Sequence, residues 1–133
     1  KYTIYSMCDE ISRLPENTAI LLGTWRVDKN DGYFMRNATY SMMMANPKVP
    51  AFTVTSIGLG HWAIGGCIPQ YRTIGKDIAR QALALESQDT ALLANGMQMI
   101  PNEYCFDYIK LNQGSFLNKA ITKNAVFYNK KLF

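Results

Sequence analysis

The sequence lacks the features that define several protein classes. Its three cysteines, Cys8, Cys67 and Cys105, are odd in number and far apart, so neither a disulfide framework nor a paired-cysteine metal motif is expected. Such cysteine usage is typical of a reducing compartment, and we expect a cytoplasmic protein. No run approaches the roughly 18 consecutive apolar residues that a membrane-spanning helix needs, so no membrane partner is expected.

Histidine and acidic residues are also scarce. His61 is the single histidine, and no Asp or Glu occurs between Pro50 and Arg72. Metal ligand sets usually combine several His, Cys or carboxylate side chains, so no metal centre is expected. The charged fraction is 18% and the net charge is +4. This mildly basic balance permits acidic partners without requiring nucleic acid.

What the chain does contain is enough apolar material for a core. It has 133 residues, of which 48% are hydrophobic. This length is typical of one domain, and no low-complexity segment or linker interrupts it. We therefore expect residues 1–133 to form a single domain.

Apolar periodicity predicts alternating helices and strands. Helices are predicted over 2–14, over 33–45 and after Thr73. In the third helix, Ile74, Ile78, Ala82 and Leu85 form one stripe of the kind that packs on a core. Strands are predicted at 18–27, 49–57, 90–94 and 104–111, with an edge strand at 125–128 and a short strand within 58–70. The first strand is nearly all apolar and is expected in the centre of its sheet.

This order of elements predicts the fold class. Strand, helix and strand alternate twice, as in a βαβ-βαβ arrangement. We expect an α+β, ferredoxin-like sandwich with a mainly antiparallel sheet and helices on one face.

The glycine-rich segment 58–70 is the first candidate site. Gly58-Leu59-Gly60-His61-Trp62-Ala63 fits a dinucleotide-binding fingerprint, but the glycines and proline that follow oppose the helix which that site needs. A loop that approaches a ligand is the better interpretation. His61 lies near Ser56 and Cys67 without forming a triad pattern. Trp62 and Tyr71 serve either as packing or as walls for a planar or cationic ligand.

The carboxyl-terminal segment is basic. Between Lys110 and Phe133 it has five lysines and no acidic residue. Interleaved Phe116, Phe127 and Tyr128 could stack on bases. A solvated surface is the more usual explanation, so nucleic acid is the less favoured partner.

Several short strings together resemble one enzyme family. An apolar strand over 19–27, a helix opening near Arg36-Asn37, and the string 76–84 leading through Gln88-Asp89 into Ala91-Leu92-Leu93 resemble the small phage enzymes that cleave S-adenosylmethionine (SAM). These are the T3-type SAM hydrolases, now regarded as SAM lyases. The turn Gly114-Ser115-Phe116 is also similar to a short element of that family. The likeness spans roughly residues 18 to 128. It consists of the succession of elements and a few short strings, and it includes no diagnostic motif.

The resemblance implies a concrete function. It implies a PII-like variant of the ferredoxin-like fold, a homotrimer, and SAM bound between subunits. The family degrades SAM to methylthioadenosine and homoserine lactone, which defeats restriction in the cytoplasm of the bacterial host. SAM would be the substrate, and no cofactor is implied. The substrate's own carboxylate attacks its Cγ, so the protein needs only to position the substrate and exclude water.

The sequence departs from the family at one functional position. The family carries a glutamate near the end of its second strand, where this chain offers Ser56 and His61. We take these two as catalytic candidates, and Trp62, Gln70 and Tyr71 as substrate-binding candidates. Two other interpretations remain open. The missing carboxylate favours a non-enzymatic phage or bacterial binding or inhibitor protein of the same fold. The basic tail favours a nucleic-acid-binding module, although the aromatic central strand of an RRM is absent.

Overall fold

The structure is a computed structural model that describes residues 2–33, 36–94, 99–113 and 123–131. Contacts divide the chain into two compact units, residues 1–68 with 104–133, and Pro69–Glu103. Helices and strands are mixed along the described residues, which is consistent with an α+β protein. The elements are α1 (Ile4–Ser12), β1 (Ile20–Leu22), α2 (Arg36–Met43), β2 (Ala51–Thr53), β3 (Gly65–Ile68), α3 (Tyr71–Glu86), α4 (Thr90–Ala94), β4 (Glu103–Asp107), α5 (Tyr108–Gln113) and β5 (Val126–Tyr128).

The strands form one mixed sheet in the order β1-β2-β3-β4-β5. Three of the neighbouring pairs are parallel, namely β1 with β2, β2 with β3, and β4 with β5. The expectation of a mainly antiparallel sheet is wrong for these pairs. α2 lies between β1 and β2, and α5 between β4 and β5, so the chain crosses over and returns in the same direction. Because the strands follow chain order, the structure does not confirm the ferredoxin-like, PII-like topology.

β1 lies at one edge of the sheet and β5 at the other. The edge position predicted for the last strand is confirmed, whereas the central position predicted for the first strand is wrong. Ile20 and Leu22 pack against the core, but Leu21 between them is 68% exposed. Alternate residues of a strand point to opposite faces, so an apolar run does not require burial on both.

The predicted first helix is confirmed as α1, and its ends are well defined. Thr3 and Ser6 form a reciprocal capping box at its start. Beyond its end, the Asn46 side chain donates hydrogen bonds to the carbonyl oxygens of Ile11 and Leu14, both at 3.1 Å. α1 packs on α2, and Asn46 therefore fixes the chain after α2 to the end of α1.

The core of the larger unit lies between these helices and the sheet. β3 passes very close to β2, and a Cβ on Gly66 would overlap the carbonyl of Thr53. A Cβ on Gly65 would overlap the Phe106 ring and the carbonyl of Cys105 on β4. Only glycine permits these two approaches, which explains the paired glycines at the start of β3. The buried apolar cluster consists of Ile11, Met42, Met43, Ala51, Leu59, Trp62, Ala63, Ile68 and Cys105.

In the unit Pro69–Glu103, α3 is confirmed as a helix but its buried face was predicted wrongly. Asp77 and Ala84 are buried, whereas Ile78 is 52% and Leu85 is 68% exposed. Periodicity identifies an apolar face, but it does not show what covers that face. The Asp77 carboxylate accepts a hydrogen bond from Arg80 at 3.0 Å through Oδ1. Its Oδ2 is buried without a partner among the described residues.

The strand predicted at Thr90–Ala94 is wrong, because these residues form helix α4. Asp89 Oδ1 accepts a hydrogen bond from the Leu92 backbone N–H at 3.1 Å. This is the contact of an N-cap, which satisfies a free donor of the first turn. A five-residue apolar run fits a buried strand or a helix equally, and here the cap favours the helix.

Candidate functional site

The site is built around the turn that precedes β3. The carbonyl of Gly58 accepts hydrogen bonds from the backbone N–H groups of His61 at 3.0 Å and Ala63 at 2.9 Å. Gly58 has φ of +85°, and a Cβ there would overlap the Trp62 indole. The turn leads into strand β3 and not into a helix. It therefore lacks the helix N-terminus of a dinucleotide site, as the sequence predicted.

Trp62 belongs both to the core and to a cavity. Its side chain is only 7% exposed and lies in the main apolar cluster. It also lines a cavity of about 380 Å³. The cavity walls come from the end of α2, the segment entering β2, the turn before β3, and α5: Met43, Met44, Pro47, Lys48, Val49, Pro50, Ala51, Trp62, Ile64 and Lys110.

The charge of this lining is of one sign. Lys48 and Lys110 are its charged residues, and no Asp or Glu is among the described lining residues. Lys48 Nζ lies 3.2 Å from Glu16 Oε1, but both side chains are largely exposed, so the pair is weak. Lys110 forms no ion pair within the described part of the chain. The cavity therefore offers a ligand the side chain of a half-buried lysine that no described acidic residue neutralises.

Asp107 fixes the position of Lys110. It lies at the end of β4 and is only 2% exposed. Its Oδ1 accepts hydrogen bonds from the backbone N–H groups of Ile109 and Lys110, both at 3.0 Å, and so caps α5. Its Oδ2 accepts a hydrogen bond from Asn129 Nδ2 at 2.8 Å. Three donors thus offset the desolvation of this buried carboxylate.

Asn129 extends this network to the turn. Its Nδ2 also donates to the carbonyl oxygen of Gly60 at 3.1 Å. One side chain therefore joins the end of β5 to the end of β4 and to the turn that carries Trp62. Asn129 itself has φ of +57°, a left-handed conformation that asparagine tolerates better than most residues.

The predicted site residues fall into three places. Trp62 lines the cavity, whereas Ser56 and His61 are exposed and are not among its lining residues. Gln70 and Tyr71 belong to the other unit, at the start of α3. Gln70 donates a hydrogen bond to the carbonyl oxygen of Pro101 at 3.0 Å, and Tyr71 is 50% exposed. The structure therefore brings only Trp62 to the cavity.

The sequence did not predict that Lys110 lines the cavity. The segment 104–111 was predicted as one strand, but β4 ends at Asp107 and α5 begins at Tyr108. The signal was the aspartate, because Asp is a preferred N-cap residue and Asp107 directly precedes α5. Reading it would have placed Lys110 on a helix, though not beside Met43 or Trp62.

The basic segment offers less to bases than its sequence suggested. Phe116 lies outside the described residues. The Phe127 ring packs edge-on against Tyr108, with ring centroids 5.9 Å apart. Lys130 Nζ lies 5.6 Å from the centroids of both rings. The two rings are thus engaged by each other and by a cation of the same chain.

Comparison with protein families, curated proteins and solved structures gives no match to this chain. Within the described residues, no group of three or more His, Cys, Asp or Glu is arranged to hold a metal ion. Nor is any described helix both long enough and apolar enough to cross a bilayer.

Proposed function

We propose that this chain binds SAM in the cavity beside Trp62 and cleaves it as a lyase. The cavity carries the proposal: its volume of about 380 Å³ falls in the ~300–1,000 Å³ range of small-molecule sites. Its walls combine an indole, two thioethers and two lysines. Apolar walls with a few polar groups are usual for such sites.

The lining suggests how SAM would be oriented. The carboxylate of its methionine part would pair with Lys110, since a half-buried ammonium favours an anion. The sulfonium would lie away from both lysines, towards the apolar wall that includes Trp62 and Met43. An aromatic ring attracts such a cation, and thioethers pack readily on irregular apolar surfaces.

The proposed reaction needs no catalytic acid or base. A carboxylate oxygen of the substrate attacks its own Cγ and forms a C–O bond, while the Cγ–S bond breaks and its electron pair stays on sulfur. The products are homoserine lactone and neutral methylthioadenosine, and no proton is transferred. The protein lowers the barrier by holding the folded conformer and excluding water. Ser56 and His61 therefore have no bond-making role in this proposal.

Oligomerisation and the finer fold remain part of the same proposal. The family resemblance implies a homotrimer of PII-like subunits with SAM between them. The described lining of the cavity beside Trp62 comes from one chain. A trimer would add residues at its open side.

The charge of the lining favours a second candidate. SAM carries a net positive charge, and both charged residues of the cavity are lysines. A non-enzymatic phage or bacterial binding protein would use the same cavity for a ligand that bears a carboxylate or phosphate. In that case the ligand would control binding to a partner protein, and no SAM would be consumed.

A product assay separates the two candidates. The protein is incubated with SAM, and methylthioadenosine and homoserine lactone are measured by chromatography, with SAM binding measured by calorimetry. We expect product from the wild type and at least a tenfold loss in Lys110→Met, because the variant removes the partner of the substrate carboxylate. Lys123→Met, which changes an exposed lysine outside the cavity, is the matched control. Binding without product would favour the second candidate, and absence of both would reject the lyase.

A further inference from the structure

α3 carries a row of exposed apolar side chains. Tyr71, Ile78 and Leu85 are 50%, 52% and 68% exposed and recur every seven residues on one side of the helix. Gly75 and Ala82 lie between them, so the five positions are spaced by four, three, four and three residues. This spacing is that of the a and d positions of a coiled coil, the seam by which two helices pack.

The seam alternates large and small side chains. The large residues flank Gly75 and Ala82, and a Cβ added at Gly75 would meet no atom within 4 Å. A second helix could therefore approach closely at the small positions while its own large side chains fill the gaps. Such a surface on a helix is typical of an interaction site.

We propose that α3 packs against α3 of a second copy of this chain, antiparallel, about a two-fold axis at Ile78. In this register Ile78 faces its own copy and Tyr71 faces Leu85, while Gly75 lies next to Ala82 of the other copy, offset by one residue or about 1.5 Å along the axis. Each large residue thus meets a large one, and the small residues meet each other. A surface of this kind is self-complementary, as an isologous contact requires.

Charge complementarity selects the antiparallel direction. Arg72 and Glu86 are both exposed and lie on the same flank of the seam, at opposite ends of α3. Antiparallel packing brings Arg72 of each copy next to Glu86 of the other. Parallel packing in register would keep the two residues a helix length apart, roughly 21 Å along the axis. The charges therefore favour a pair of helices with opposite directions, in which the helix dipoles also oppose.

This inference does not depend on the SAM proposal. The two-fold contact predicts a dimer of single chains, and if the trimer implied by the family resemblance also forms, it predicts a pair of trimers. In either case disruption of the α3 contact halves the mass of the assembly. One helix pair is a small interface, so the mass is measured over a concentration series.

A charge-reversal cycle tests the contact. The mass is measured by sedimentation for the wild type, Arg72→Glu, Glu86→Arg and the double variant. We expect each single change to halve the mass, since it places like charges together at both ends, and the double change to restore it. Lys29→Glu, an equal charge change at an exposed residue of the other unit, should leave the mass unaltered.

An apolar test uses the position at the two-fold axis. Ile78→Lys places two ammonium groups together and should also halve the mass. Because Ile78 is half exposed, the substitution should leave the far-UV circular dichroism of the chain unaltered. A wild type that does not pair at its highest soluble concentration would overturn the inference. So would single charge variants that keep the full mass, or a double variant that fails to restore it.

Discussion

Asp107 and Asn129 lie 22 residues apart in the chain and are joined by a hydrogen bond of 2.8 Å between Asn129 Nδ2 and Asp107 Oδ2. The same two side chains cap α5 and hold the carbonyl of Gly60. They therefore connect two walls of the cavity, the one that carries Lys110 and the one that carries Trp62.

Loss of the Asp107 carboxylate should destabilise the chain. Asp107→Ala removes the N-cap of α5 and leaves the Asn129 amide without its buried acceptor, which together should cost about 2–4 kcal/mol of unfolding free energy. Asp107→Asn should cost less, because the remaining side-chain oxygen can still cap α5. It should still destabilise the chain, because the new amide N–H group would face the Asn129 amide N–H group, and neither can accept a hydrogen bond. Urea unfolding measures both. Asp9→Ala, at an exposed acidic residue of α1, should change stability by less than about 0.5 kcal/mol. A cost for Asp107→Ala as small as that of the control would refute the network.

Gly58 should not tolerate a side chain. Gly58→Ala puts a Cβ into the Trp62 indole at a backbone conformation that L-residues rarely adopt. The left-handed backbone alone costs about 1–2 kcal/mol, and displacement of the indole from the core adds to it. Gly23→Ala is the matched control, since a Cβ at that position meets no atom within 4 Å. Thermal unfolding should separate the two variants by several degrees, and equal melting temperatures would show that Trp62 does not pack beneath Gly58.

The three cysteines should react with alkylating agents in order of their exposure. Cys67 on β3 is exposed, Cys8 on α1 is half-buried, and Cys105 on β4 is 1% exposed. Under native conditions Cys67 should label first, and Cys105 should label only when the sheet opens. Mass spectrometry of the labelled peptides over time gives the three rates. Labelling of Cys105 as fast as Cys67 in the folded protein would show that β4 is not buried in the sheet.

Local sequence patterns predicted which helices and strands form better than they predicted where those elements lie in the fold. α1 and α3 followed from apolar periodicity, and β5 from a short β-branched and aromatic run. The same patterns did not show that β1 lies at the edge of the sheet, or that the apolar stripe of α3 through Ile78 and Leu85 is exposed. Position in a sheet and burial of a helix face depend on which elements pair, and pairing is a property of the whole fold.

The candidate site was predicted only in part, for a related reason. The Gly58–Ala63 turn was identified from its glycines, and Trp62 from its place within the turn. Lys110, Met43 and Pro47 come from distant parts of the sequence and meet at the cavity only because β2, β3 and β4 are neighbours in the sheet. No local pattern carries that information. Ser56 and His61 were chosen for their chemistry and lie outside the lining.

The most direct test of the account is a fluorescence titration of Trp25→Phe, in which Trp62 is the single remaining tryptophan. Phenylalanine keeps most of the apolar volume of Trp25, which packs at the margin of the core. If SAM binds in the cavity, its addition should change the Trp62 emission saturably, with the dissociation constant found by calorimetry, and Lys110→Met should weaken that response at least tenfold. An emission that stays constant while calorimetry reports binding would place the ligand elsewhere and contradict the assignment of this cavity.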